Sequence, residues 1–236
     1  MTTFETIFAP ISACRILDVA TGRGGFIQTL LKTLQDYDEI IAIDSNADYA
    51  SAFGETFADK PVSYQQMDAS ALEFSDELFD TVCISNSLHH MTDPSRVLTE
   101  MQRVLKPDGI FIISEMMRDN LSEPQMTHLL IHHWWGAVDS AMGIVHHETY
   151  TRQQLIDFAK TITVKNWEFH EVAYLDDDPK DAETIAQLDG ILDRYIKKTE
   201  NLQDREMLQK RGQALRERVH EVGFHGATAL VAIGVK

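Results

Sequence analysis

The sequence predicts an α/β fold built on a doubly wound, mostly parallel sheet, and three observations lead there. Short apolar runs (RILDVA, EIIAID, DTVCISN, IFIISE) alternate with longer stretches of helical periodicity, the pattern of βαβ units. The first run ends on an acid and passes directly into a glycine-rich turn, ILDVATGRGGF, residues 16 to 26. The chain of 236 residues, 44% hydrophobic and 25% charged, suits one such domain with an elaboration, or at most two small domains.

Taken in order, RILDVA is the first strand and FIQTLLKTL the helix that follows the turn. EIIAID is the second strand, and PVSYQQMDA is a weaker third with Asp68 near its C-terminal end. DTVCISN is the fourth. The spacing then predicts a helix over 93–105, with Val97, Leu98, Met101, Val104 and Leu105 on one side before KPDG ends it and IFIISE begins the fifth strand. The pattern changes after Ser114. Ser122 to Gln125 reads as a capping box ahead of a helix in MTHLLIHHWWGAVD. Thr151 starts another helix, RQQLIDFAKTI, and VKNWEFHEVAY reads as a strand. Residues 182–198 and 206–222 are amphipathic, with Ile185, Leu188, Leu192 and Tyr195 on one stripe and Leu208, Leu215, Val219 and Val222 on the other. Gly223 stops the second of these, and GATALVAIGV is the last strand.

The net charge of −16 is uneven: residues 1–115 hold seven basic and 18 acidic side chains. Such a field repels phosphate backbones, so nucleic acid is not an expected partner. Only Arg194 to Arg218 reverses sign, which reads as solvated helix faces. No run approaches the length of a membrane span, and no export leader is evident, so no membrane partner is expected. Cys14 and Cys83 lie in or beside apolar runs and form no metal-type pair; both read as buried hydrophobes in a cytoplasmic protein.

The glycine turn admits two readings. Ala20, Gly22 and Gly25 nearly satisfy the GxGxxG dinucleotide fingerprint, and Asp44 stands where a ribose-binding acid is expected. Against a nicotinamide cofactor, however, Asp18 would set a carboxylate close to a pyrophosphate. A donor carrying an ammonium and a sulfonium would instead be attracted. LDVATGRGG, AIDSN, MDAS, FDTVCISNSLHHMTDP and RVLKPDGIFIIS, taken in that order over roughly residues 14–115, resemble the class I S-adenosylmethionine-dependent methyltransferases, with Ala20 in place of the first glycine of their DxGxGxG motif. Some members, quinone-biosynthesis C-methyltransferases among them, share the LDVATG opening.

The resemblance implies a Rossmann-like sheet of seven strands with a helical cap, and S-adenosyl-L-methionine as cofactor. It implies that Asp18, Ala20, Thr21, Gly22 and Gly24 surround the methionine and ribose portions, with Asp18 near the ammonium. Asp44 and Ser45 would serve the ribose, an ionised carboxylate having two acceptor oxygens. Asp68 and Ala69 would meet the adenine, and Ser85, Asn86 and His90 the methionine end.

Methyl transfer from a sulfonium is an in-line displacement on an already activated carbon, so the protein contributes alignment and exclusion of water, and a base only where the acceptor must lose a proton. His133 and His147 are the candidate bases among ten histidines. His89, His132, Trp134, Trp135, Met142 and His146 are candidates for the acceptor pocket. His128 and His132, one helical turn apart, lack a third ligand at a fixed spacing, so no metal site is expected. The resulting organisation is a donor-binding core over 1–115, a lid over the acceptor pocket at 116–150, and the rest of the same domain at 151–236, with a helical insertion between the last two strands. The apolar stripes of that insertion could complete the pocket or form a homodimer surface. The leading expectation is an enzyme that methylates a small molecule at oxygen, nitrogen or carbon. A nicotinamide-dependent oxidoreductase and a non-catalytic S-adenosylmethionine-binding protein are the alternatives.

Overall fold

The computed structural model describes residues 2–236, which group into two compact units. The first takes in the residues up to Glu115 together with Gln153–Val172 and Ala229–Lys236; the second is Met116–Arg152 with Ala173–Thr228.

The first unit is a seven-stranded sheet in the order β3-β2-β1-β4-β5-β7-β6. The strands are β1 (Arg15–Val19), β2 (Glu39–Asp44), β3 (Val62–Gln66), β4 (Phe79–Ser85), β5 (Leu105–Met116), β6 (Lys165–Val172) and β7 (Ala229–Val235). The pairs β1–β2, β1–β4, β2–β3 and β4–β5 are parallel, and β7 runs antiparallel to β6. Because helices flank a parallel sheet, its central strands are buried on both faces and need apolar residues at successive positions. Ile16, Leu17, Ile40, Ile43, Val82, Ile84 and Phe111 are all fully buried. The fold class expected from the sequence, a doubly wound sheet of seven strands, is the fold observed.

Crossovers in this unit are α2 (Gly25–Thr33), α3 (Tyr49–Thr56) and α4 (Pro94–Val104), preceded by the short α1 (Phe4–Phe8). Asp93 caps α4 by accepting from the Arg96 amide at 3.0 Å, with Pro94 at the first turn where a missing N–H costs nothing. KPDG does not simply terminate this helix. It lies inside β5, where pairing with β4 slips between Phe79 and Thr81. Gly109 sits in that irregularity because a Cβ there would stand 2.6 Å from Leu105 and 2.9 Å from the Asp80 carbonyl. α6 (Arg152–Ala159) leads into β6.

The second unit contains α5 (Glu123–Ala141), α7 (Ala182–Lys198) and α8 (Arg205–Val222). The segment between β6 and β7 therefore groups with the α5 segment rather than with the sheet. Ser122 starts α5, its amide donating to Gln125 Oε1 at 3.0 Å. The two amphipathic stripes meet α5 in one apolar cluster of Ile131, Trp134, Val138, Leu188, Leu192, Leu208, Leu215 and Val219. Trp134 is its centre: fully buried, it donates Nε1–H to the Leu208 carbonyl at 2.9 Å. Gly212 makes this approach possible, since a Cβ at that position would lie 2.5 Å from the indole. The basic stretch is partly spent inside the unit. Arg216 pairs with Asp189 and Asp193, and Arg218 reaches Glu123 Oε2 at 2.6 Å and Thr127 Oγ1 at 3.1 Å. No helix of the described residues is long and apolar enough to cross a membrane.

Candidate functional site

Strand order reverses between β1 and β4, and in open α/β sheets that is where a crevice forms beyond the carboxyl ends of the strands. Both strands end here in left-handed backbone: Ala20 has φ 55° after β1, and Asn86 has φ 45° after β4. A non-glycine residue in that region carries strain that persists only where neighbours enforce it. Ser87 does so with a hydroxyl that stands 3.1 Å from the Ala20 carbonyl and 2.8 Å from the Ser85 carbonyl and shares its one proton between them, which ties the two strand ends together. Asn86 N–H in turn donates to the Ser114 carbonyl of β5 at 2.8 Å.

The glycine turn is held from β2. Thr21 N–H donates to the Ile43 carbonyl at 2.9 Å, and Gly22 N–H donates to Asp44 Oδ2 at 2.9 Å. Asp44 Oδ1 accepts from the Asn46 amide at 3.0 Å. Each oxygen thus has one backbone partner and a second lone pair for a ligand hydroxyl. The glycines differ in purpose. Gly22 (φ +54°) has nothing within 4 Å of where a Cβ would point, whereas a Cβ on Gly24 (φ +78°) would collide with the Phe57 ring at 2.5 Å. One glycine leaves space beside the backbone; the other lets α3 and its flank pack against the start of α2.

Asp18 is the group for which the protein alone provides least. It is 1% exposed in the body of β1; its Oδ1 accepts a 3.3 Å bond from the Cys83 thiol, and its Oδ2 is buried with no hydrogen-bond partner. Burial pushes its pKa up to about 6; the Thr21 hydroxyl, which lies nearby without forming a hydrogen bond to it, and the bonded Cys83 thiol pull the other way, and the charge on Asp44 adds to the rise. The neighbouring Cys83 thiol is pushed well up by the same burial and by Asp18. A buried carboxylate with an idle oxygen, in the strand that leads into the Gly22 turn, fits a cation and disfavours a phosphate.

Asp68, at the end of β3, accepts both Ser70 N–H and Ser70 Oγ–H at 2.8 Å on Oδ1, bonds that hold its pKa below the usual value. Ala69 beside it is buried, and Ser45 is exposed at the rim of β2.

Sequence reasoning missed Glu115. Fully buried near the end of β5, it accepts Ser87 N–H at 2.6 Å and Leu88 N–H at 2.7 Å on Oε1, and its Oε2 faces His89 Nδ1 at 3.0 Å. It therefore satisfies the first amides of the 3₁₀ turn Leu88–His90 and holds the segment after Asn86 in place. His89 is fully buried by this arrangement, whereas His90 on the same turn is exposed.

The remaining candidates belong to the second unit. His133 Nε2 accepts from Thr149 N–H at 3.3 Å and lies 3.1 Å from Thr149 Oγ1, so its proton sits on Nδ1 when the ring is neutral. Burial holds its pKa below the ordinary value, partly offset by Glu148. His147 is exposed. His146 Nδ1 bonds Asp139 Oδ2 at 2.9 Å, and its ring stands 4.8 Å from that of His132. His128 accepts the Ala227 amide on Nδ1 at 2.8 Å, and burial lowers its pKa to about 4. Trp134 is consumed by the core; Trp135 stacks on Tyr195 at 5.4 Å, with its Nε1 buried and unpartnered. Met142 is 46% exposed.

Comparison with known proteins gives this geometry relatives. Residues 17–113 match the model of the methyltransferase domain, so the turn, the acid-ended strands and the segment after β4 all lie within the matched region. The ubiquinone/menaquinone biosynthesis C-methyltransferase UbiE of Pectobacterium carotovorum is 34% identical over 108 residues, which cover 44% of this chain and 43% of that protein. UbiE of Yersinia pestis is 35% identical over 114 residues, 47% and 45% of the two chains. The chain thus matches less than half the length of these curated relatives. Among solved structures, the methyltransferase bound to the Trm112 activator in Haloferax volcanii superposes with a TM-score of 0.59 at 18% identity, over 94% of this chain and 81% of that one. YcgJ of Bacillus subtilis gives 0.55 at 18% identity over 94% and 91%. Residues 17–113 thus resemble a methyltransferase domain, and the fold is that of the class I S-adenosylmethionine-dependent methyltransferases. S-adenosylmethionine is the methyl donor of that family.

Proposed function

We propose that the protein transfers a methyl group from S-adenosylmethionine to a small-molecule acceptor. The observation that carries this reading is the Asp18 carboxylate, buried with one oxygen unpartnered, in the strand that leads into the uncrowded Gly22 turn. The donor is cationic at its amino group and its sulfur, and it supplies a methyl already activated for displacement. Asp18 would meet the ammonium, Gly22 and Gly24 the backbone approach, Asp44 and Ser45 the ribose, and Asp68 and Ala69 the adenine. Ala20, Thr21, Ser85, Asn86 and His90 would line the methionine end. Glu115 and His89 act by holding the segment that carries them.

On this reading the residues up to 115 bind the donor, and the 116–150 segment supplies acceptor contacts from Trp135, His132, Met142 and His146. The reaction is assigned to the cytoplasm, in keeping with two free cysteines. Alignment is the main contribution to rate, because the methyl needs no activation. His133, with Nε2 already accepting from Thr149, is poorly placed to take a proton there without losing that bond. His133→Ala and His147→Ala decide the matter: full turnover in both leaves no base role for either.

A second reading, a donor-binding protein that transfers no methyl group, rests on one comparison. The [4+2]-cyclase SpnF superposes on 99% of this chain with a TM-score of 0.58 at 18% identity, so one fold hosts more than methyl transfer. Thermal unfolding with S-adenosylmethionine, S-adenosylhomocysteine and NADH, followed by methyl transfer across acceptor panels, separates these readings. Stabilisation by the two adenosyl compounds with turnover supports the proposal; stabilisation without turnover supports a non-catalytic donor site, and stabilisation by NADH alone overturns both.

A further inference from the structure

The second unit holds a half-open cavity of ≈ 270 Å³ that includes His133, His147, Glu148 and Arg211 in its lining. Its make-up departs from the chain as a whole, which carries a net charge of −16. Arg211 projects from α8 and has no ion-pair partner among the described residues, unlike Arg216 and Arg218 further along the same helix. The one acid of the lining is already engaged, since Glu148 Oε2 lies 2.7 Å from Arg118.

The cavity is constructed rather than left by loose packing. The chain after α5 is stitched back onto that helix: Ile144 N–H donates to the Asp139 carbonyl at 2.9 Å, His146 Nδ1 bonds Asp139 Oδ2, and His133 receives Thr149. Gly136 provides the seat, because a Cβ there would press on the His146 ring at 3.2 Å. The result is an apolar floor at Gly136–Ala137 flanked by imidazoles, one hydroxyl (Ser140) and one unpaired guanidinium.

We propose that this cavity binds the carboxylate of a small organic acid. A guanidinium presents paired N–H donors that match a carboxylate in a planar, two-bonded geometry, and the imidazoles can donate once an anion is present. One unpaired cation with Glu148 close by favours a monoanion over a phosphate dianion. The volume, near the small end of ligand pockets, favours an acid of modest size. As an assignment of the methyl acceptor this rests on the reading under Proposed function; as an anion site it does not.

The test titrates benzoate and, separately, benzamide into the full chain while the imidazole signals of His133 and His147 are followed by NMR. The titration is repeated with Arg211→Gln and Arg211→Lys, and S-adenosylhomocysteine affinity is measured on the same samples. The expected result is that benzoate moves both histidines in a saturable way and benzamide does not. Arg211→Gln should lose about tenfold or more in benzoate affinity, with Arg211→Lys between the two. Equal shifts with benzoate and benzamide, no shift with either, or undiminished benzoate binding in Arg211→Gln would each overturn the proposal. Benzoate binding in a protein with no affinity for S-adenosylhomocysteine would uphold the anion site and sink the methyltransferase reading, so the two failures are distinguishable.

Discussion

Replacing Asp18 by Asn keeps the shape of the side chain and removes its charge. In wild type the folded state holds the Asp18 proton up to about pH 6, against an ordinary value of 3.8. A folded-state pKa above the unfolded one means that the folded chain binds more protons between those values, so stability falls as pH rises through that window and is level above it. The gap corresponds to about 3 kcal/mol of stability that is fully present well below pH 3.8 and gone by neutral pH. Asp18→Asn lacks this dependence. Denaturant unfolding of both proteins at a series of pH values from 4 to 8 should show the variant gaining on wild type by about 2.4 kcal/mol over the range, whatever constant offset the lost thiol bond introduces. Donor binding should move oppositely: an ammonium next to Asp18 favours the ionised form, so wild-type affinity weakens below about pH 6 while the variant binds poorly throughout. Parallel stability profiles for the two proteins would refute the claim that Asp18 is a desolvated acid awaiting a cation.

Other perturbations separate binding from folding. Gly22→Ala should cost about 1 kcal/mol of stability through its positive φ, yet abolish detectable donor binding in calorimetry, because the Cβ enters the open space. Gly24→Ala, which also collides with Phe57, should lower the melting temperature further and lose affinity only as the fold loosens. Glu115→Ala strands two buried amides and should cost about 3 kcal/mol by chemical denaturation, whereas Glu115→Gln, still able to accept both, should cost less than half of that. Gly212→Ala drives a methyl into Trp134 and should destabilise by about 1–3 kcal/mol, with a change in Trp fluorescence and no change in donor affinity.

Much of the sheet was legible because a parallel sheet buried on both faces demands apolar runs, and β1, β2, β4 and β5 supply them. Two short helices were not. α1 spans five residues and α3 eight, too few for a period to declare itself, and β3 sits at the sheet edge with mixed exposure. The donor-side acids Asp18 and Asp44 stood out because each closes an apolar run, and IFIISE offered the same signal for Glu115, which was not singled out. A buried acid at a strand end differs from a solvated one only through its partners, and those come from Ser87, Leu88 and His89, 26 to 28 residues away in sequence. Trp134 was ambiguous for a related reason: an indole can line a pocket or fill a core, and only the closeness of Gly212 and the Leu208 carbonyl decides for the core.

The most direct test of the central claim is calorimetric titration of S-adenosylhomocysteine into wild type and Asp44→Ala at pH 7.5. One molecule should bind per chain in wild type and affinity should fall by about thirtyfold or more in the variant, since a ribose hydroxyl loses a charged acceptor and Gly22 loses its anchor. Absence of binding to wild type, or equal binding by both proteins, would contradict the assignment of this turn to the methyl donor.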